Sequence, residues 1–238
     1  MDTFKLQKDL LFYWERILDI FYPVLCIVCG RRTHSATELY CMDCQYQLHP
    51  TGMYKHKENE FTAHFMGRTE LESGAALYYY IKGGRFQQAI QLLKYKNRAD
   101  IGLRLGAFYG MLLRDFEPYR SVDLIIPVPL HPKRQIQRGY NQSAMISQGL
   151  SSSMHIPWKE DILTRKKETY TQTEKNRQER LRNMQSVFEL NKAAEIQGKH
   201  ILLVDDILTT GATLEACASV LKKAKSVKIS MATLAIAT

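Results

Sequence analysis

The chain has 238 residues, 45% of them hydrophobic, and a formal charge of +9 at pH 7. That composition excludes a disordered or fibrous chain and leaves room for one full α/β domain with a small appendage. The positive excess favours anionic partners such as phosphorylated small molecules, nucleic acid or anionic lipid, while no apolar run reaches the length of a membrane span, so membrane insertion is not expected.

In residues 1–22 the charges Lys5, Lys8, Asp9, Glu15, Arg16 and Asp19 break any hydrophobic signal region. Leu10, Trp14, Ile17, Leu18 and Phe21 fall on one helical face instead, which predicts a docking helix. A cytoplasmic chain follows, with its five cysteines reduced. Cys26-Ile-Val-Cys29 and Cys41-Met-Asp-Cys44 are separated by eleven residues. Two residues between thiolates let one tight turn present both sulfurs to one ion. Cys26, Cys29, Cys41 and Cys44 are therefore expected to hold a structural zinc in a closed four-thiolate shell. Cys217 reads as a small core residue.

Residues 49–73 are polar, carry His49, His56 and His64, and read as a linker. Residues 74–81 read as a strand. Lys82-Gly83-Gly84-Arg85 then turns the chain into a helix on which Phe86, Ala89, Ile90 and Leu93 share a face. The run from Lys94 to Arg98 ends that helix with positive charge, which the helix dipole and a ligand explain equally well. Residues 101–116 form another helix. Residues 122–127 read as a buried strand, stopped by Pro127-Val128-Pro129 because proline has no N–H for the ladder.

The segment from His131 to Gln142 opens a helix through Leu150. Lys133, Arg134 and Arg138 follow a strand's carboxyl end and are the candidate pyrophosphate-binding cations, with ordinary solvated cations as the alternative. Residues 133–182 hold eleven Lys/Arg against five Asp/Glu, a net +6, and form a candidate single-stranded DNA surface, with Tyr140 and Tyr170 as stacking faces. Residues 163–175 lack apolar periodicity, residues 177–184 suggest a short helix, and residues 186–190 resume as a strand.

Ile201-Leu-Leu-Val204 then reads as a strand buried on both faces, with Asp205 and Asp206 at its carboxyl end. Thr209-Thr210-Gly211-Ala212-Thr213 makes a turn, residues 214–224 have helical spacing, and residues 227–236 supply a last strand. In an open α/β sheet the ligand crevice lies outside the carboxyl ends of the strands. The turn gathers backbone N–H groups, hydroxyls and a helix N-terminus around one point, which suits a phosphate. Like charges repel, so Asp205 and Asp206 suit vicinal hydroxyls or a divalent cation a few ångströms away. A phosphorylated ribose presents both needs. Competing nucleotide motifs fail: no Gly-x-Gly-x-x-Gly occurs, and Gly198-Lys199-His200 lacks the rest of a P-loop.

Residues 201–213 closely resemble the PRPP-binding motif of type I phosphoribosyltransferases. The resemblance implies that Asp205 and Asp206 are the catalytic carboxylates, binding the ribose 2′- and 3′-hydroxyls. It also implies that Thr209, Thr210, Gly211, Ala212 and Thr213 bind the 5′-phosphate, that magnesium accompanies PRPP, and that the polar segment from residue 163 is a lid. The paired cysteines, Leu-Lys-Tyr-Lys at 93–96, Pro-Val-Pro-Leu-His-Pro-Lys-Arg at 127–134 and Arg-Gly-Tyr-Asn-Gln at 138–142 widen the likeness to the ComF family. This implies a PRPP-binding protein supporting uptake or handling of single-stranded DNA in natural transformation, with a competence helicase or translocase ATPase as a partner. The alternative is an active phosphoribosyltransferase acting on an unidentified small acceptor in nucleotide metabolism. The expected architecture is α/β: an N-terminal helix, zinc knuckle and linker over residues 1–69, then a parallel-sheet phosphoribosyltransferase-like domain over residues 70–238.

Overall fold

The computed structural model describes residues 23–33, 35, 38–95, 98–165 and 187–237. The docking helix expected over residues 1–22, and most of the polar and helical stretch expected between residues 163 and 184, lie outside the described residues. The chain divides into two units, Met1–Leu48 and His49–Thr238.

In the first unit the Gly30 N–H donates to the Cys26 carbonyl at 3.0 Å and closes a tight turn. Gly30 takes φ +73°, a conformation that costs glycine little. Helix α1, Met42–Tyr46, starts directly after Cys41, whose carbonyl accepts the Gln45 N–H at 2.9 Å. A bond from the Ile27 N–H to the Leu39 carbonyl ties turn and helix together.

Residues 49–73, expected as a linker, belong to the second unit. Backbone bonds from Thr51 to Leu77 and from Tyr79 to His49 lay this segment along the edge of strand β1, Ser73–Tyr80. Asn59 forms a capping box with Thr62 at the start of helix α2, Glu60–His64, and its Nδ2 donates to the Gly74 carbonyl at 2.9 Å. Phe61 and Phe65, one helical turn apart, are fully buried. A Cβ on Gly74 would stand 2.4 Å from the Phe61 ring, so strand and ring meet only over glycine. One apolar pair among polar neighbours gives too little periodicity to reveal a packed element.

Helices α3 (Arg85–Tyr95) and α4 (Ala99–Leu113) lead to strand β2 (Leu124–Pro127). Helices α5 (Pro132–Arg138) and α6 (Gln142–Met154) follow, then the short strands β3 (Leu163–Arg165) and β4 (Phe188–Leu190) and helix α7 (Ala193–Ile196). The chain ends with β5 (His200–Leu208), α8 (Ala212–Leu221) and β6 (Lys228–Ala237). The main sheet has the order β1-β6-β5-β2, and all its pairs are parallel. The central strands β5 and β6 are apolar on both faces, as a covered parallel sheet requires. Pro127 sits at the end of an edge strand, where its missing N–H costs no ladder bond.

Several expected boundaries shift. Strand β5 continues through both aspartates to Leu208, because β6 supplies ladder partners as far as Ile236. The single helix expected up to Leu150 is two: Gly139, at φ +80°, ends α5, and Asn141 caps α6. The strand expected over residues 186–190 is β4, Phe188–Leu190, which pairs antiparallel with β3 in a separate two-stranded sheet.

Helix α6 packs on β5 and β2, and α4 packs on α6 through a row of glycines. A Cβ on Gly106 would lie 2.2 Å from the Ile146 carbonyl oxygen, and one on Gly149 would lie 2.2 Å from that of Leu103. The two backbones touch, so a single methyl has no side chain to displace. Gly106→Ala is expected to cost about 1–3 kcal/mol by overpacking and to lower Tm by several degrees. An unchanged Tm in a thermal melt would mean that the helices part freely.

Candidate functional site

The carboxyl end of β5 builds the site. Successive strand residues point to opposite faces, and the two aspartates accordingly take different partners. The Asp205 Oδ1 accepts the Ser143 hydroxyl at 2.9 Å and the Asp206 backbone N–H at 2.9 Å. The Asp206 Oδ2 pairs with the Lys94 Nζ at 2.7 Å, at a contact where both side chains are largely buried. Burial and the neighbouring Asp206 charge push the Asp205 carboxyl up to about 7, against the lowering pull of the Asp206 N–H, Ser143 and Lys94.

Ser143 reaches Asp205 because α6 is pinned at its start. The Asn141 side chain accepts the Ser143 N–H at 3.1 Å and donates to the Val128 carbonyl at 3.0 Å, tying the helix to the exit of β2. The Tyr140 hydroxyl donates to the Leu93 carbonyl, which fixes the end of α3 that carries Lys94. Among the candidate cations, Arg138 donates to the Gln142 Oε1 at 2.7 Å, beside that helix start. Lys133 and Arg134 are exposed on α5, none of whose residues is buried.

After Leu208 the chain turns into α8. Thr209 and Thr210 are exposed, Gly211 is buried, and Ala212 and Thr213 open α8 half-buried. Gly211 stands at the N-cap with φ +73°, and the first N–H groups of α8 thus have no side-chain cap. A Cβ on Gly211 would stand 3.0–3.1 Å from the rings of Phe65 and His64. The glycine therefore serves the left-handed turn and the fit against α2, a packing role that the loop's sequence does not disclose.

At a helix end Lys94 suits the dipole and a ligand alike, and the structure gives it a carboxylate partner, Asp206. Ser143 carries no motif of its own in the sequence. Its signal was Asn141 two residues earlier, a helix-capping residue that puts Ser143 in the first turn.

In the first unit the four sulfurs of Cys26, Cys29, Cys41 and Cys44 lie within 4.8 Å of one another, and those of Cys29 and Cys41 are 3.6 Å apart. All four are free thiols. A tetrahedron of metal–sulfur bonds near 2.3 Å has edges of about 3.8 Å, so the set fits one metal ion. Burial pushes the Cys29 thiol up, but bonds from the Arg31 backbone and side chain and from Cys41 and Cys44 outweigh it and bring it to about 6. Burial drives Cys44 upward.

A family model described as phosphoribosyl transferase domain matches residues 141–237, which begin at the Asn141 cap and include both aspartates and the turn. Competence protein F of Haemophilus influenzae is 32% identical over 212 residues, 85% of this chain and 93% of that protein. Competence protein ComFC of Bacillus subtilis is 25% identical, over 88% of this chain and 77% of that protein. DNA utilization protein YhgH of Escherichia coli O157:H7 is 35% identical over 137 residues, 56% of this chain and 59% of its own length.

The raised Asp205 carboxyl has a consequence for stability. An unfolded aspartate titrates near ~3.9, so between that value and about 7 the native state holds the extra proton. Stability from this group is full below pH ~4 and is lost as the pH rises toward 7. Asp205→Asn removes the loss, so it should gain stability relative to wild type at pH 8 and not at pH 4 in urea unfolding. An equal difference at both pH values would place the Asp205 carboxyl in the ordinary range.

Proposed function

The chain belongs to the ComF family, the family of competence protein F, and from that premise we propose that its strand-end site binds PRPP in the service of single-stranded DNA handling. The observation that carries this reading is the placement of Asp205 and Asp206 near the end of β5, one short turn before a helix N-terminus with no side-chain cap. The carboxylates hold the ribose 2′- and 3′-hydroxyls by charge-assisted hydrogen bonds. The N–H groups and hydroxyls of residues 209–213 take the 5′-phosphate. Lys94 leaves Asp206 when a hydroxyl arrives and turns to the pyrophosphate with Arg138, and Lys133 and Arg134, exposed on α5, are further cations for it. Magnesium, if it accompanies PRPP, would supply charge neutralisation at the pyrophosphate, and the oxygens of Asp205 and Asp206 are the hard donors near enough in sequence to help hold it. The DNA role draws support from the relatives named for competence and DNA utilization and from the exposed cations of α5.

Calorimetry with PRPP and magnesium tests the site. Asp205→Asn combined with Asp206→Asn should weaken binding, each lost charged hydrogen bond costing about 1.5–3 kcal/mol. Saturating PRPP should also shift the affinity of the wild type for a single-stranded oligonucleotide, as linkage demands of ligands sharing one rim. Equal PRPP affinity in the double variant would put the ligand elsewhere, and an unmoved oligonucleotide affinity would separate the DNA role from this rim.

For the four cysteines we propose zinc as the ion, in a structural role, since a closed thiolate shell leaves no position for substrate. Purified protein should contain one zinc per chain, and Cys41→Ser should loosen it and unfold the first unit. Zinc-free protein with a folded first unit by NMR, or full zinc retention in Cys41→Ser, would refute the assignment.

A further inference from the structure

Arg68 lies in the turn after α2, in the stretch that reads as a linker. Its Nη1 stands 3.2 Å from the Glu215 Oε2 and 3.4 Å from the Thr210 carbonyl oxygen. Its Nη2 donates to the His64 carbonyl, and the guanidinium lies over the Phe65 ring, 5.4 Å from the centroid. Phe65 is fully buried, so the cation rests on a fixed platform.

Glu215 sits one turn into α8, where its N–H donates to the Gly211 carbonyl at 2.9 Å. A carboxylate there is favoured by the dipole of an empty helix end. Against a phosphate in the loop the sign reverses. One helical turn is about 5.4 Å, well inside the screening length of about 10 Å at 0.1 M salt, so an unpaired Glu215 would repel the dianion.

We propose that Arg68 is a positioning residue for the bound phosphate: it neutralises Glu215 and holds the Thr210 carbonyl, so that the turn presents donors alone to the anion. This rests on the phosphate reading of residues 209–213. The chemical class it serves is a sugar 5-phosphate. The contacts of Arg68 with Thr210 and Glu215 are to the turn and α8, whereas the cations proposed for the pyrophosphate are Lys94 and Arg138.

Calorimetry of the full chain with ribose 5-phosphate, and with pyrophosphate as control, tests the proposal. Arg68→Gln should weaken ribose 5-phosphate binding roughly five- to tenfold, the size of a screened charge contact near a surface, and leave pyrophosphate affinity in place. Adding Glu215→Gln to that variant should restore most of the loss. Glu215→Gln alone, which turns Arg68 on the phosphate without disturbing the platform, should tighten binding. Arg68→Gln that binds like wild type, a double variant as weak as Arg68→Gln, or weaker binding by Glu215→Gln alone would each overturn the role of Arg68. Wild-type protein that ignores ribose 5-phosphate would instead defeat the phosphate reading on which it rests.

Discussion

Two adjacent carboxylates at the end of a buried strand impose the constraint that the rest of the second unit answers. An uncompensated ion in such a place costs several kcal/mol, and a second one beside it adds repulsion. The protein answers with one cation, one hydroxyl and one backbone N–H. Lys94 neutralises Asp206, while Ser143 and the Asp206 N–H stabilise Asp205, which still keeps its proton to about pH 7. Each partner arrives by its own structural route. The end of α3 is held by the Tyr140 hydroxyl, the start of α6 is held by Asn141, and α6 itself is seated by glycine contacts with α4.

The turn after β5 leaves the start of α8 without a side-chain cap. Gly211 supplies the left-handed conformation, and α2 closes behind it with His64 and Phe65. The same segment brings Arg68 to Glu215. A stretch that reads as a linker in the sequence therefore forms the rear wall of the turn.

Much of this was legible from residue order. The buried strand, the paired acids, the Thr/Gly turn and the helix after it follow from hydrophobic runs and from the chemistry of a helix N-terminus. The cysteine spacing likewise foretold a four-sulfur cluster, because C-x-x-C geometry is local. What stayed hidden depends on long-range packing. The union of Lys94 with Asp206 joins residues far apart in the chain, and a charge at a helix end already has a local explanation. Phe61 and Phe65 gave too short a pattern to outweigh their polar neighbours. Strand β4 looked like any other strand, since a three-residue run carries no mark of which sheet it will join.

The arrangement makes Lys94 the residue that must move if the site takes a sugar diol, for Asp206 cannot hold both at full strength. The most direct test is a crystal structure of the full chain with PRPP and magnesium. The account predicts the ribose diol on Asp205 and Asp206, the 5′-phosphate at residues 209–213, and the Lys94 Nζ drawn away from its 2.7 Å contact with Asp206 toward the pyrophosphate. A ligand bound elsewhere, with that ion pair intact, would contradict it.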